Sequence, residues 1–228
     1  MKWRRELLLF GAAYLLYNAG RGFTSGDIDL AVANADWVLG LEGGPSIERS
    51  VQDAFGGVWM LLLSHVYLAA QIVVLPGVLV AMYRWAPRIY LRLRDTVIVT
   101  WMLSLPVYAL FPVAPPRLAG LGMTDAVSQQ SAVALAGHST WFYNSIAAVP
   151  SLHCGFAMAV GVAVAAAVKQ RWLKVLALSW GPIVALSTVA TANHYVFDVA
   201  AGLAVTGLGY LVACRPRVLR PARVAVAA

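Results

Sequence analysis

Apolar runs long enough to cross a lipid bilayer recur along this 228-residue chain and leave little sequence for anything else. A helix rises about 1.5 Å per residue, so a hydrocarbon core of about 30 Å takes about 20 residues. Six segments approach that length: 3–20, 57–83, 91–111, 151–168, 172–192 and 195–214. The expected fold is all-α: a polytopic membrane protein with six transmembrane helices in a single membrane-embedded domain covering residues 1–228. Composition agrees, since 61% hydrophobic and 12% charged residues with a mean hydropathy of +0.73 lie outside the range of soluble domains. Pro76, Pro106 and Pro182 fall inside these segments, where neighbouring helices can satisfy the freed carbonyls. The start, Met1-Lys2-Trp3-Arg4-Arg5 and a Leu-rich run, resembles a signal peptide. No small-residue cleavage site precedes Gly20, so a retained first helix is expected.

The net charge of +7 raises the question of a nucleic-acid partner. The basic residues answer it, because they sit in short clusters between apolar runs: Lys2, Arg4, Arg5; Arg84, Arg88, Arg92, Arg94; Lys169, Arg171, Lys174; and Arg215, Arg217, Arg220, Arg223. With six spans all four clusters share one face, which the positive-inside rule makes cytoplasmic, and both termini are then cytoplasmic. Arg21, Arg49 and Arg117 are left on the other side with eight of the ten acidic residues, Asp27, Asp29, Asp36, Glu42, Glu48, Asp53, Asp125 and Asp198. No nucleic acid is expected as a partner. The implied location is the cytoplasmic membrane, multi-pass. Cys154 and Cys214 fall at opposite faces, too far apart to bridge, so no disulfide framework is implied.

Two outer segments, 21–56 and 112–150, are long enough to carry structure. Within the first, Trp37, Leu39, Leu41, Ile47 and Val51 alternate with acidic residues around Gly43-Gly44-Pro45, as in short helices lying in the interface. Such helices serve as a packing collar or as a substrate gate. The second carries Trp141-Phe142-Tyr143, read as interfacial anchors, and His138, read as solvated. A disordered tail is expected from about residue 221.

The chemistry-bearing residues cluster on the outer side. His194 and Asp198 are four apart at the start of the last helix, so they share one face. A carboxylate there can accept the imidazole N–H, fix its tautomer and leave the other nitrogen free to attack. His153 opens a different helix at the same level. Two histidines can divide the work, one attacking and one protonating a leaving group. Phosphorus chemistry also needs cations or oriented donors. Arg117 ends the rigid run Phe111-Pro112-Val113-Ala114-Pro115-Pro116-Arg117, and Ser151 with the free amides at the fourth helix's N-terminus can add hydrogen bonds. Arg21, Arg49 and Tyr108 are further candidates for the pocket, each with an ordinary surface or anchoring role as the alternative. A metal is not expected, because two histidines and one aspartate make a thin ligand set. His65, inside the second span, is open to a functional role or to a hydrogen bond with a neighbouring helix, and it is not counted among the site residues.

Pro150-Ser151-x-His153 followed by Ser187-x6-His194-x3-Asp198 resembles the type 2 phosphatidic acid phosphatase (PAP2) superfamily. The Phe-Pro-x-x-Pro-Pro-Arg element and the His-Tyr-x-x-Asp form of the last motif resemble its inositol phosphorylceramide synthase-like branch. The resemblance implies an integral membrane lipid phosphotransferase or phosphatase in which His194 forms a phosphohistidine, His153 protonates the departing group and Asp198 orients His194. It implies a lipid substrate, a hydroxyl acceptor or water, no cofactor and no metal. Three positions depart from the family pattern: the Lys-x6-Arg-Pro motif is absent, Thr188 stands where an arginine usually follows the serine, and Leu152 replaces a glycine. Fewer phosphate-binding cations suit a phosphodiester better than a monoester dianion, which favours head-group transfer. The alternatives are a polyprenyl or glycerolipid phosphate phosphatase and, more distantly, a transporter or channel using the polar residues as a relay.

Overall fold

The computed structural model of the chain describes residues 2–24, 26–130 and 144–214. The aromatic run 141–143, His138, the last basic cluster and the expected tail lie outside them. Helix dominates because the apolar runs must satisfy their own backbone groups: α1 (Trp3–Phe23), α2 (Ile28–Glu42), α3 (Ser46–Asp53), α4 (Gly57–Trp85), α5 (Pro87–Leu110), α6 (Ala126–Gln130), α7 (Leu152–Ala167), α8 (Arg171–Ala190) and α9 (Val196–Ala213). All six apolar segments of the sequence are helical. Four of these helices, α4, α5, α8 and α9, are long and apolar enough to cross a membrane. The other two fall short of the six-span expectation for visible reasons: α7 has 16 residues, and α1 carries Arg4, Arg5, Glu6 and Arg21.

The short helix α7 is the centre of the bundle, contacting α4, α5, α8 and α9. Small residues let its neighbours approach: a Cβ on Gly155 would overlap Thr206 of α9, and one on Gly161 would press on the Ala177 carbonyl of α8. On the far side, α1 is held to α5 by Trp101, whose indole lies 5.0 Å from Phe10 and 5.5 Å from Tyr17, and by the ion pair of Glu6 with Arg94. A π-turn at Ala70–Val74 interrupts α4 just before Pro76, whose missing N–H leaves an orphaned carbonyl in that stretch.

The collar over one end of the bundle is built on small residues. In α2, Ala31, Ala35 and Val38 are fully buried against Val113, Ala114, Ile146, Ala148 and Tyr195, while Trp37 and Leu41 of α2 and Ile47 of α3 are exposed. The Ala114 amide bonds the Ala31 carbonyl (3.0 Å), and Val113 and Ala147 form an isolated parallel bridge. Gly43 and Gly44, at φ 79° and 102°, make the turn between α2 and α3, and α3 packs against α8.

Candidate active site

The α8–α9 connection sets the site. After α8, Ala192 adopts φ 56°, and the amides of Asn193 and His194 turn back to the Thr188 carbonyl (3.0 and 3.2 Å). Asp198 then caps α9, its Oδ2 accepting from the Tyr195 amide at 2.9 Å and lying 3.1 Å from His194 Nδ1. One buried carboxylate oxygen thus ties the imidazole to the start of α9. Tyr195 fixes the same turn from below, donating its hydroxyl to the Ala114 carbonyl at 3.0 Å. Burial, followed by the Arg117 guanidinium, holds the His194 imidazole well below the usual histidine range, against a smaller opposing effect of the Ala148 carbonyl. It is therefore neutral at physiological pH, with a free nitrogen to use as a nucleophile.

His153, the second residue of α7, brings its ring centroid to 6.0 Å from that of His194, the two planes inclined at 52°. Tyr67 of α4 stacks on its other face at 4.1 Å and 18°. Between the imidazoles opens a cavity of about 70 Å³ lined by Tyr17, Arg21, Tyr67, Gln71, Arg117 and Asn144 among others. A water takes about 10–15 Å³ on this measure, so the space suits a phosphoryl group with its entering and leaving atoms.

Two guanidiniums reach the cavity. Arg117 ends the proline-rich run, with its amide on the Ala192 carbonyl (3.1 Å) and its Nε 3.2 Å from Asp125 Oδ2. Arg21 comes from the last turn of α1, which runs past the expected end at Gly20, and donates to the Asn144 carbonyl at 3.2 Å. The Asn144 side-chain amide returns to the Arg21 carbonyl, also at 3.2 Å. Tyr108 lines the cavity as well, its hydroxyl donating to the Pro150 carbonyl at 3.1 Å.

Other expected residues are placed elsewhere. Ser151 is fully buried, but its hydroxyl is spent on α7 itself, accepting from the Cys154 amide at 3.5 Å and donating to Cys154 Sγ at 3.3 Å. The helix start needs that cap, so the hydroxyl is not brought to the phosphate-sized space. Arg49 is exposed on α3 and donates to the Leu121 carbonyl at 2.7 Å, away from the cavity. His65 bonds the Leu61 carbonyl of its own helix (2.7 Å), not a neighbouring one. Thr188, at the position of the absent arginine, is buried against Cys154 Sγ, and both cysteines are free. Among the described residues no group of three or more His, Cys, Asp or Glu is placed to hold a metal ion.

Residues 31–212 match the PAP2 superfamily, which is most of the chain. The chain belongs to the PAP2 superfamily. Among solved structures, the crystal structure of Aquifex aeolicus LpxE is similar, with a TM-score of 0.57 at 12% identity over 74% of this chain and 92% of that one. At that identity the likeness is one of fold. A search of curated proteins gave no match. PAP2 membership makes this a phosphatase-type enzyme of a membrane, with lipid-related chemistry. The matched stretch holds His153, His194, Asp198 and Arg117, whereas Arg21 lies before it.

Several residues of this PAP2 site escape sequence reasoning. Tyr67 and Gln71 are polar positions four apart in a mostly apolar span, a visible signal, and the π-turn beginning at Ala70 lies beside both. Asn144 and Tyr17 carry no such signal. Glu42 and Glu48 lie outside the cavity but reach the first turn of α9, where the Phe197 amide donates to Glu42 Oε1 (2.5 Å) and the Val196 amide to Glu48 Oε1 (3.4 Å).

Proposed function

We propose that this PAP2 enzyme is a lipid phosphatase that works through a phosphohistidine intermediate. The observation that carries the reading is the pair of imidazoles facing each other across a phosphate-sized cavity, with Asp198 behind His194 and two guanidiniums at its wall. His194 attacks phosphorus, forming a P–N bond as the P–O bond to the lipid alkoxide breaks, and His153 donates a proton to that oxygen. A water then gives up a proton to His153 and displaces His194, releasing phosphate. Arg21 and Arg117 meet the charge on the phosphoryl oxygens, and Tyr67, stacked on His153, keeps the acid in register. The catalytic face is extracytoplasmic.

Arg21 changes the balance between monoester and diester. The missing family cations favoured head-group transfer, but a guanidinium from α1 stands in the cavity beside Arg117, which supports reaction of a monoester dianion. Transfer of a phosphorus-containing head group to a hydroxyl acceptor is the second reading, favoured by the Phe111–Arg117 element of the synthase-like branch. Purified enzyme with a panel of lipid phosphates, polyprenyl and glycerolipid, is expected to release inorganic phosphate without an acceptor lipid. Release that requires the acceptor, with a new phosphodiester lipid in the mass spectrum, decides for transfer. Replacing His194 with Gln is expected to lower turnover by at least about a thousandfold and to abolish trapping of labelled phosphate on the protein. Full turnover in that variant rules out the nucleophile.

A further inference from the structure

Three carboxylates converge on the start of α9. Asp198 takes the Tyr195 amide, Glu48 the Val196 amide and Glu42 the Phe197 amide, so acids from three helices occupy three successive free N–H groups. The Glu42 and Glu48 carboxyls also lie within hydrogen-bonding reach of each other. Glu48 and Asp198 are fully buried, and one oxygen of each of the three, Glu42 Oε2, Glu48 Oε2 and Asp198 Oδ1, is buried with no hydrogen-bond partner. Three negative charges at this spacing repel, and one helix terminus carries only about half a positive charge to offset them.

Among the described residues, no cation acts on Glu42 to break the tie. The charged groups acting on Glu42 are Glu48 from α3 and Asp198 from α9, both acids, and Asp36 of α2 acts on the adjoining Tyr195. Arg49 of α3 turns away to the Leu121 carbonyl, and Arg117 is engaged with Asp125 and acts on His194. The three acids are not placed as a metal site either. A proton is the remaining way to satisfy two neighbouring carboxyls.

We propose that Glu42 and Glu48 form a hydrogen-bonded acid–carboxylate pair holding one proton, and that this pair docks α2 and α3 onto the first turn of α9 and so positions Asp198 and His194. It rests on the assignment of His194 and Asp198 above. Loss of the proton sets two adjacent carboxylates beside Asp198, loosens the grip on the Val196 and Phe197 amides and lets the His194–Asp198 pair drift. Burial first, then the Glu48 hydrogen bond, raises Glu42 to about 8 from an ordinary 4.5. The folded state therefore holds its proton more tightly than the unfolded one. The stabilisation is complete below about 4.5 and is lost as pH rises through about 8. Glu42 and Glu48 are positioning residues, acting through the helix start.

The test compares the full-length enzyme with its Glu42→Gln and Glu48→Gln variants. In wild type without substrate, infrared titration is expected to show a carboxylic-acid carbonyl band that vanishes with a midpoint near 8, and the His194 imidazole nitrogen resonances are expected to shift with the same midpoint. Glu42→Gln removes both changes. With a lipid phosphate substrate, wild-type kcat falls through that midpoint while KM holds, and kcat of Glu42→Gln stays level. Absence of the band in wild type, or an alkaline fall that Glu42→Gln leaves in place, overturns the proposal. If Glu42→Gln does not fold, Glu48→Gln decides, since removal of its partner must move the wild-type midpoint downward, and an unmoved midpoint overturns the pairing. Band and resonance shifts in an enzyme that turns over no lipid phosphate count against the phosphatase reading and leave the acid pair standing.

Discussion

Ala192 shows how much of the site hangs on one backbone torsion. Its φ of 56° is a left-handed conformation that a side chain disfavours by about 1–2 kcal/mol. The turn it makes aims its carbonyl at the Arg117 amide and starts the path that delivers His194 to Asp198. Glycine tolerates that torsion freely, whereas a β-branched residue resists it more than alanine does. Ala192→Gly is therefore expected to keep turnover and to match or raise stability by up to about 1 kcal/mol. Ala192→Val is expected to lose about 2 kcal/mol and most of its turnover, because relaxing the turn moves Arg117 and His194 together. Thermal melting and kcat of the two purified variants check this, and an active Ala192→Val would show that the turn is not what sets the site.

Between elements, the decisive contact is that of α9 with the start of α7. The Ser151 amide donates to the Asp198 carbonyl at 3.0 Å, and Gly202, one turn further along α9, lies so close to Ser151 that a Cβ there would overlap its carbonyl. This approach fixes the separation of the two imidazoles, since His153 is on α7 and His194, just before α9, is tied to that helix through Asp198. Gly202→Ala is expected to cost about 1–3 kcal/mol and to lower kcat by about tenfold to a hundredfold as the rings part. Gly207→Ala on the same helix is the control, because nothing lies within 4 Å of its missing Cβ. Equal kcat and equal melting for the two variants would contradict this packing.

The same helices show which parts of the site were legible in the sequence. His194 and Asp198 were, because i and i+4 share a face whatever the fold, and the ends of the apolar runs placed His153 at their level. Arg21 was a candidate only, since its neighbour Asn144 is 123 residues away and its helix runs three residues past the expected end. Ser151 was read for its chemistry, when the start of α7 claimed its hydroxyl first. The grip of Glu42 and Glu48 on α9 could not be read at all, because it spans about 150 residues of chain and depends on how the collar folds back.

For the whole molecule, the arrangement of charge carries a statement about direction. The cavity, the α2–α3 collar and Arg21, Arg49 and Arg117 gather at one end of the bundle, where the two imidazoles also lie. The cluster Arg84, Arg88, Arg92 and Arg94 lies at the α4–α5 junction, at the far end of α5 from the proline-rich run, and Lys169 and Arg171 lie at the α7–α8 junction, at the far end of α7 from His153. The positive-inside rule then predicts the imidazoles outside, and in that orientation the proposed phosphatase takes its lipid phosphate from the outer leaflet and releases inorganic phosphate without its crossing the membrane. Ser50 on α3 and Arg88 on α5 are both exposed and sit at opposite ends. Ser50→Cys is expected to react with a membrane-impermeant maleimide on intact cells, and Arg88→Cys only after the membrane is opened. The opposite pattern would turn the molecule over, and the substrate would then have to be a lipid phosphate of the cytoplasmic leaflet.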